Sequence, residues 1–334
     1  MSSWSRLVAV SLFVTGSSLS SVASTRSSSC NADAKGNNDN KCNATEAETR
    51  VAKWAPKWKA GPNKAGWHIG QQVHPRLAEF EDKLLPTPAY QNYPARVLIP
   101  LAGKSHDVAY LARRGHKVVA VEGITEAIDE FEKEYSDKSL LSKSWGQVYD
   151  WLFPPPFNLT SNQSDSTRFR LQDARHVHVK ADGGLSAGRS LWLQGDFLLL
   201  AQPPKSSPVL GWGGEQVCSE TEPSASFDAV FDRGGFVAVD KADRQAYAAT
   251  LTRLVAPFGR VLMVAVEHPP FTGGGMGPPF SVDADAIRTL FGDSFDIEVL
   301  KHEDRLPVEP VWAERGCAYF NEVTYLLTRK SAKG

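Results

Sequence analysis

The sequence predicts an α/β protein with a mostly parallel sheet, and two observations support this prediction. Over residues 96–131, short apolar runs alternate with segments of helical periodicity, as in parallel strands joined by crossover helices. Two apolar runs end on an acidic residue, Glu122 and Asp232. Ligands bind at the carboxyl ends of the strands in an open parallel sheet, so these acids are expected near a functional site.

The predicted elements follow in chain order. A strand is predicted at 96–100, followed by a helix over 107–114. A second strand is predicted at 117–122, followed by a helix capped by Thr125. After residue 190 the pattern resumes, with strands at 191–193, 227–232, 260–266, 295–300 and 322–328 and helices over 243–255 and from 281 or 283 to 290. No helix separates the last two strands, so one is expected to run antiparallel at the sheet end.

Composition divides the chain into three regions. Residues 1–26 contain Arg6, an apolar run and then small residues, which is the layout of a signal or transit peptide. Such a leader implies a secretory or organellar (plastid) destination, and without it the protein would be cytoplasmic. Residues 27–50 are polar and predict a disordered linker. The folded domain is predicted over 51–330, with insertions at about 136–190 and 203–226 where Pro, Gly and Ser are frequent. One or two short strands are expected within the first insertion.

Bulk properties exclude several classes of protein. A formal net charge of −1 argues against a nucleic-acid or acidic-membrane partner, because both require a basic surface. The apolar run of the leader is shorter than the roughly 20 residues of a membrane span. No pair of cysteines has metal-ligand spacing, so we expect no metal; the cysteines are Cys30, Cys42, Cys218 and Cys317.

A nucleoside site is predicted where the first two strands end. The turn at 101–104 follows the first strand, and Glu122 lies about twenty residues further on, as expected for a carboxylate that binds ribose hydroxyls. Alternatively, Glu122 caps the next helix or faces solvent. The turn has a single useful glycine, Gly103, so a pyrophosphate-binding loop is poorly supported. This favours S-adenosylmethionine over NAD.

Several segments in the same order resemble thiopurine S-methyltransferases. The resemblance extends from about residue 51 to 330 and rests on 54–58 (WAPKW), 66–68 (GWH), 100–107 (PLAGKSHD), 115–122 (GHKVVAVE), 232–235 (DRGG), 277–280 (GPPF) and 322–328 (EVTYLLT). It implies a Rossmann-like class I methyltransferase fold, with a mostly parallel seven-stranded sheet, helices on both faces and an antiparallel last strand. It also implies a monomer that transfers a methyl group from S-adenosylmethionine to a small thiol.

The resemblance assigns roles to individual residues. Trp54 and Trp58 belong to a segment that covers the cofactor, and Trp67 would contact both cofactor and acceptor. The remaining cofactor positions are Leu101, Gly103, Glu122, the adenine-side pair Asp196 and Phe197, and Arg233, which is also the candidate catalytic residue.

The chain also departs from the family pattern. Ala102 replaces the usual cysteine, Trp67 replaces the usual phenylalanine, and residues 62–64 are a short insertion. The acceptor therefore stays open between a thiopurine-like or aromatic thiol and a halide, sulfide or aliphatic thiol. An NAD-linked oxidoreductase and a non-catalytic binding module are the alternatives from other classes.

The chemistry of methyl transfer is compatible with these residues. Aromatic faces attract a sulfonium by roughly 0.5–2 kcal/mol each, although the tryptophans could instead fasten a helix to the domain. The enzyme has to align nucleophile, methyl group and leaving sulfur, and a thiol needs no strong general base. Arg233 could favour a thiolate, or form a salt bridge to Asp228 or Asp232. The loop at 269–279 could be a lid over the acceptor or a plain turn.

Overall fold

The computed structural model describes residues 49–59, 70, 72–86, 94–137, 174–200 and 227–331. Every structural statement below refers to these residues. The predicted leader, nearly all of the predicted linker, and Trp67 lie outside them.

The described residues form a sheet with helices on both faces. Its strands are β1 Arg96–Ile99, β2 Lys117–Glu122, β3 Ala174–Val179, β4 Gly188–Gln194, β5 Phe227–Arg233, β6 Val255–Glu267, β7 Phe295–Asp304 and β8 Asn321–Arg329. The helices are α1 Ala55–Lys59, α2 Pro75–Leu84, α3 His106–Arg113, α4 Thr125–Tyr135, α5 Arg244–Leu254, α6 Ala284–Phe291 and α7 Val311–Glu314. Short 3₁₀ turns lie at Phe197–Leu199, Phe236–Ala238 and Lys241–Asp243.

The strands are ordered β3-β4-β2-β1-β5-β6-β8-β7 across the sheet. Strands β4, β2, β1, β5 and β6 pair in parallel, so their carboxyl ends share one edge. The chain moves outward from β1 to β2 on one side and later to β5 on the other, which makes β1 the point where strand order reverses. Such a reversal opens a crevice at the carboxyl edge.

The predicted class of sheet is confirmed, but the predicted number of seven strands is wrong. The described sheet has eight strands, because β3 pairs antiparallel to β4 inside the predicted insertion at 136–190. Val177 and Val179 are buried, and His176 and His178 lie between and beside them. The alternation of apolar and polar residues is therefore that of a half-buried strand. A short strand was expected within 136–190, but the histidines and the Pro- and Ser-rich surroundings obscured its bounds.

The antiparallel last strand is also confirmed, although not at the sheet end. β8 lies between β6 and β7 and is antiparallel to both. A short helix, α7, separates the last two strands, so the prediction that no helix lies between them is wrong. Most bounds differ from the prediction by a few residues, and two differences change the role of a residue. Val255 starts β6 rather than ending α5, and Thr125 is the first residue of α4 rather than its cap, which is Ile124.

The core has one apolar layer on each face of the sheet. On β1, Val97 and Ile99 pack with α3 and α4, whereas Leu98 between them packs with α5 and α6. This follows from the alternation of side chains along a strand. Residues on both faces of β1 are buried, as expected for a central parallel strand. In the described part of the chain, no helix combines the length and apolarity that a membrane crossing requires.

One buried polar contact joins α5 to the end of β5. The Tyr247 hydroxyl donates to Asp232 Oδ2 at 2.9 Å, and the Phe236 backbone N–H donates to Asp232 Oδ1 at 3.1 Å. Both Asp232 and Tyr247 are fully buried. Burial raises the pKa of Asp232 to about 6, although these hydrogen bonds oppose the shift.

Asp232 should make stability depend on pH. The folded protein retains a proton on Asp232 up to about pH 6, whereas in the unfolded chain this carboxyl loses it near pH 3.9. The free energy of unfolding should therefore fall as pH rises from about 4 to 6. Asp232→Asn keeps the shape and removes the titration. Relative to wild type, the variant should gain about 2–3 kcal/mol between pH 4 and 7. Denaturant titrations across that range measure it, and parallel pH profiles would contradict the prediction.

Candidate active site

The turn after β1 has an unusual backbone. Leu101 has a φ of 46° and Gly103 a φ of 54°, both in the left-handed region. The Ala102 N–H donates to the Val121 carbonyl at 2.9 Å, which fixes this turn against the end of β2. A left-handed leucine is strained, and such strain persists only where surrounding contacts hold it, often at functional sites. The predicted cofactor residues Leu101 and Gly103 thus lie at the carboxyl edge of the sheet.

Glu122 is buried at the end of β2, and its carboxylate joins two turns. Oε2 accepts from the Gly103 N–H at 2.7 Å and Oε1 from the Ile124 N–H at 2.8 Å. Burial raises the pKa of Glu122, and the backbone donors oppose this. The alternative role of Glu122, capping the next helix, is therefore observed, since its carboxylate accepts from the Ile124 N–H at the start of α4. A carboxylate has about four acceptor positions, so both oxygens can also accept from a ligand.

The end of β4 is fastened to the end of β2. The Gly195 N–H donates to the Glu122 carbonyl at 2.9 Å. Asp196 follows and caps the next 3₁₀ turn, with Oδ1 accepting from the Leu198 N–H at 3.0 Å. Phe197 is buried, and its ring lies 4.7 Å from that of Tyr247. The structure thus brings Glu122 and Asp196 to neighbouring strand ends, as expected of residues that bind one nucleoside.

The N-terminal segment, residues 49–59, lies over this edge. Trp58 is buried against Ile124 and Ala127, and Trp54 packs on the same cluster. The Lys57 ammonium lies 4.5 Å from the centre of the Trp54 ring. These contacts are those of a helix fastened to the domain, which was the structural alternative for the tryptophans. They also place both tryptophans beside the turn that follows Glu122.

Arg233 ends β5 next to Asp232. Along a strand neighbouring side chains point to opposite faces, and Arg233 faces the charges of Asp107, Glu322 and Glu309. Burial lowers the pKa of Arg233, and these carboxylates oppose the shift. Asp228 and Asp232, the two salt-bridge partners that the sequence suggested for Arg233, contact other groups. Asp228 contacts Arg96 at 3.0 Å, and Asp232 contacts Tyr247.

A group of charged side chains around Arg233 was not predicted from the sequence. Asp107 is buried and accepts from the His74 N–H at 2.7 Å, while the Ser105 hydroxyl donates to it at 2.7 Å. Beside it, Arg76 contacts Glu79, Glu303 and Glu322, and Arg305 contacts Glu303 and Glu309. Burial and then the charges of Arg233, Arg76 and Arg305 lower the pKa of His74 well below its usual value. These residues are far apart in the sequence, so no local pattern predicted that their charges would meet.

The loop between β6 and α6 closes one side of the site. The Phe280 N–H donates to the Val237 carbonyl at 2.7 Å, which attaches the loop to the turn after Arg233. His268 stacks between Phe271 and Phe320, with ring centres 4.4 and 5.3 Å apart. The predicted lid at 269–279 therefore has its own packed aromatic support. Its contact with an acceptor stays a prediction.

Within the described ranges, no group of three or more His, Cys, Asp or Glu residues is arranged to hold a metal ion. The polar groups at the carboxyl edge are the carboxylates of Glu122 and Asp196, backbone groups and the guanidinium of Arg233. This set suits a polar organic ligand with hydroxyl and amino groups.

Comparisons with known proteins identify the family of the chain. The profile of the thiopurine S-methyltransferase family matches residues 49–149 and 210–330, more than half of the chain. Asp196 and Phe197 lie between the two matched parts. A thiopurine S-methyltransferase of Shewanella woodyi is 28% identical over 277 residues, which cover 83% of this chain and 97% of that protein. One of Pseudomonas aeruginosa is 26% identical over 276 residues, with 83% and 97% covered.

Among solved structures, a 1,6-didemethyltoxoflavin-N1-methyltransferase of Burkholderia thailandensis contains S-adenosylhomocysteine and is 14% identical. The alignment covers 84% of this chain and 91% of that one, with a TM-score of 0.41. The family match over most of the described domain decides the assignment. The chain belongs to the thiopurine S-methyltransferase family and is an S-adenosylmethionine-dependent methyltransferase.

Proposed function

We propose that this enzyme methylates the sulfur of a small thiol, with a thiopurine-like or aromatic heterocyclic thiol as its acceptor. The observation that carries the proposal is the placement of Glu122, Asp196 and Arg233 along one edge of the sheet. The first two suit the nucleoside of the methyl donor, and the third suits an anionic sulfur. The relatives named thiopurine S-methyltransferase support the choice of a thiol.

The cofactor half of the proposal uses the ends of β1, β2 and β4. Glu122 accepts from the ribose hydroxyls, beside the turn that contains Leu101 and Gly103. Asp196 and Phe197 border the adenine. The N-terminal segment, with Trp54 and Trp58, covers these groups and excludes water, and Trp67 contacts cofactor and acceptor. When bound, S-adenosylmethionine supplies an electrophilic methyl group on a sulfonium.

The acceptor half depends on charge rather than on a general base. A thiol loses its proton easily, and a half-buried guanidinium beside it stabilises the thiolate more strongly than it would in water. Burial makes the positive charge of Arg233 costly and lowers its pKa. An anion beside Arg233 would offset that cost and would therefore be favoured. The chain then has to hold the thiolate in line with the methyl group and exclude water, which contributes about 7–11 kcal/mol in well-aligned reactions.

Glu122→Gln should weaken binding of S-adenosylmethionine by about tenfold or more. The substitution replaces one charge-assisted acceptor by an amide that donates. Isothermal titration measures the affinity, and circular dichroism checks the fold because Glu122 also holds two turns. Glu126→Gln is the matched control, since this exposed glutamate lies four residues away. Unchanged affinity in folded Glu122→Gln would remove Glu122 from the site.

A panel of acceptors tests the proposed reaction. Purified enzyme with S-adenosylmethionine is offered a thiopurine, an aromatic thiol, an aliphatic thiol, sulfide and iodide, and methylated products are quantified. The proposal expects the largest kcat/KM for the thiopurine or the aromatic thiol. Preference for sulfide, iodide or the aliphatic thiol would overturn the choice of acceptor but keep the methyl transfer.

Arg233→Ala should lower kcat by about tenfold or more and leave cofactor affinity within about twofold, because its charge serves the acceptor. Arg233→Lys should recover part of the rate, since the charge returns without the planar guanidinium. Arg189→Ala, an exposed arginine of β4, is the control. Turnover, cofactor affinity and melting temperature are measured on the same preparations. A lower melting temperature with normal turnover of the folded fraction would assign Arg233 a structural role.

A further inference from the structure

The N-terminal segment contacts the domain on both sides of the gap between Glu122 and Asp196. At one end Val51 packs on Gly123, so closely that a Cβ at this glycine would lie 2.8 Å from the Val51 methyl groups. At the other end Arg50 Nε donates to Asp196 Oδ2 at 2.8 Å. Consecutive residues of the segment therefore contact the strand ends that carry the two predicted nucleoside ligands.

The contact of Arg50 with Asp196 is more enclosed than the ion pair that Lys53 makes in the same segment. Asp196 is 9% exposed and Arg50 22% exposed, and Arg50 Nη1 also lies 3.6 Å from Asp243 Oδ1. Lys53 pairs with Asp240, but their side chains are 39% and 48% exposed. Solvent screens an exposed pair strongly and an enclosed pair less. The enclosed pair is therefore the stronger attachment of the two.

Asp196 is held so that it can serve both the segment and a ligand. Oδ1 accepts from the Leu198 N–H and Oδ2 from Arg50. The Gly195 N–H fixes the preceding residue to the Glu122 carbonyl. A carboxylate has about four acceptor positions, so an amino group of a bound nucleoside can share Asp196 with Arg50. The pair would then close over the ligand without losing its own hydrogen bond.

We propose that Arg50 is a positioning residue that latches the N-terminal segment onto Asp196 and thereby controls how fast the cofactor product leaves. This inference rests on the proposed cofactor site. The segment lies across the gap between Glu122 and Asp196, so the Arg50–Asp196 pair has to open before S-adenosylhomocysteine leaves that gap. Opening exposes both charges to solvent, where salt screens and stabilises them, so the opening is sensitive to salt.

The test is the dissociation rate of S-adenosylhomocysteine, measured by stopped-flow competition at low and high salt. Arg50→Ala should dissociate the product about three- to tenfold faster and lose most of the salt dependence. Arg50→Lys should fall between the two, because it keeps the charge but not the guanidinium fork. Lys53→Ala, in the same segment, is the matched control and should stay within about twofold of wild type.

Each outcome decides a separate point. If wild-type protein does not bind S-adenosylhomocysteine in titration, the proposed cofactor site fails and the latch fails with it. If wild type binds normally and folded Arg50→Ala releases the product at the wild-type rate, the latch alone is wrong. Equal acceleration by Lys53→Ala would also overturn it, since any loosening of the segment would then suffice. Circular dichroism and melting curves establish the fold, and Arg50→Lys serves as the second variant if Arg50→Ala unfolds.

Discussion

The buried carboxylate of Glu122 is the contact on which the candidate site depends. It accepts from the N–H of Gly103 after β1 and from the N–H of Ile124 after β2, and its backbone carbonyl accepts from Gly195 after β4. One residue therefore sets the relative positions of three strand ends. Removing its hydrogen bonds would leave buried backbone donors unsatisfied, which costs about 1–3 kcal/mol for each group. Because these hydrogen bonds fix its position, the carboxylate is also preorganised to bind a polar ligand.

Strand β5 separates two different environments at the same edge. Asp232 points into an apolar layer, where Tyr247 and the backbone N–H groups of Gly235 and Phe236 hold it and burial raises its pKa to about 6. Arg233, the next residue, points to a face where Asp107, Glu309 and Glu322 offset its charge. An ionised group is costly in the first environment and supported in the second. This division favours Arg233 over Asp232 as the residue that carries the charge in the proposed acceptor site.

The sequence predicted those parts of the fold that periodicity and strand-end chemistry determine. The strand at 117–122 was placed at its observed bounds, because its four apolar residues, 118–121, lie between Lys117 and Glu122. It gave no bounds for β3, one of the short strands expected within 136–190, because its buried Val177 and Val179 alternate with histidines in a Pro- and Ser-rich region. The contacts of Arg76, Arg305 and Arg50 were also missed, since ion pairs between distant segments leave no local pattern. The roles of Trp67, Asp196 and Arg233 toward ligands stay predictions.

The N-terminal segment shows how a structural and a functional interpretation can apply to the same residues. Trp58 buries its ring against Ile124 and Ala127, which contributes roughly 1.5–3 kcal/mol of apolar burial or more for so large a side chain. This apolar packing holds the helical end of the segment on α4, and Val51 extends it to Gly123. Arg50, the residue before Val51, adds the enclosed ion pair with Asp196. Breaking that pair would free the start of the segment, while Trp58 would keep the helix on the domain. The proposed latch therefore requires only one charged contact to open, and the segment need not leave the domain.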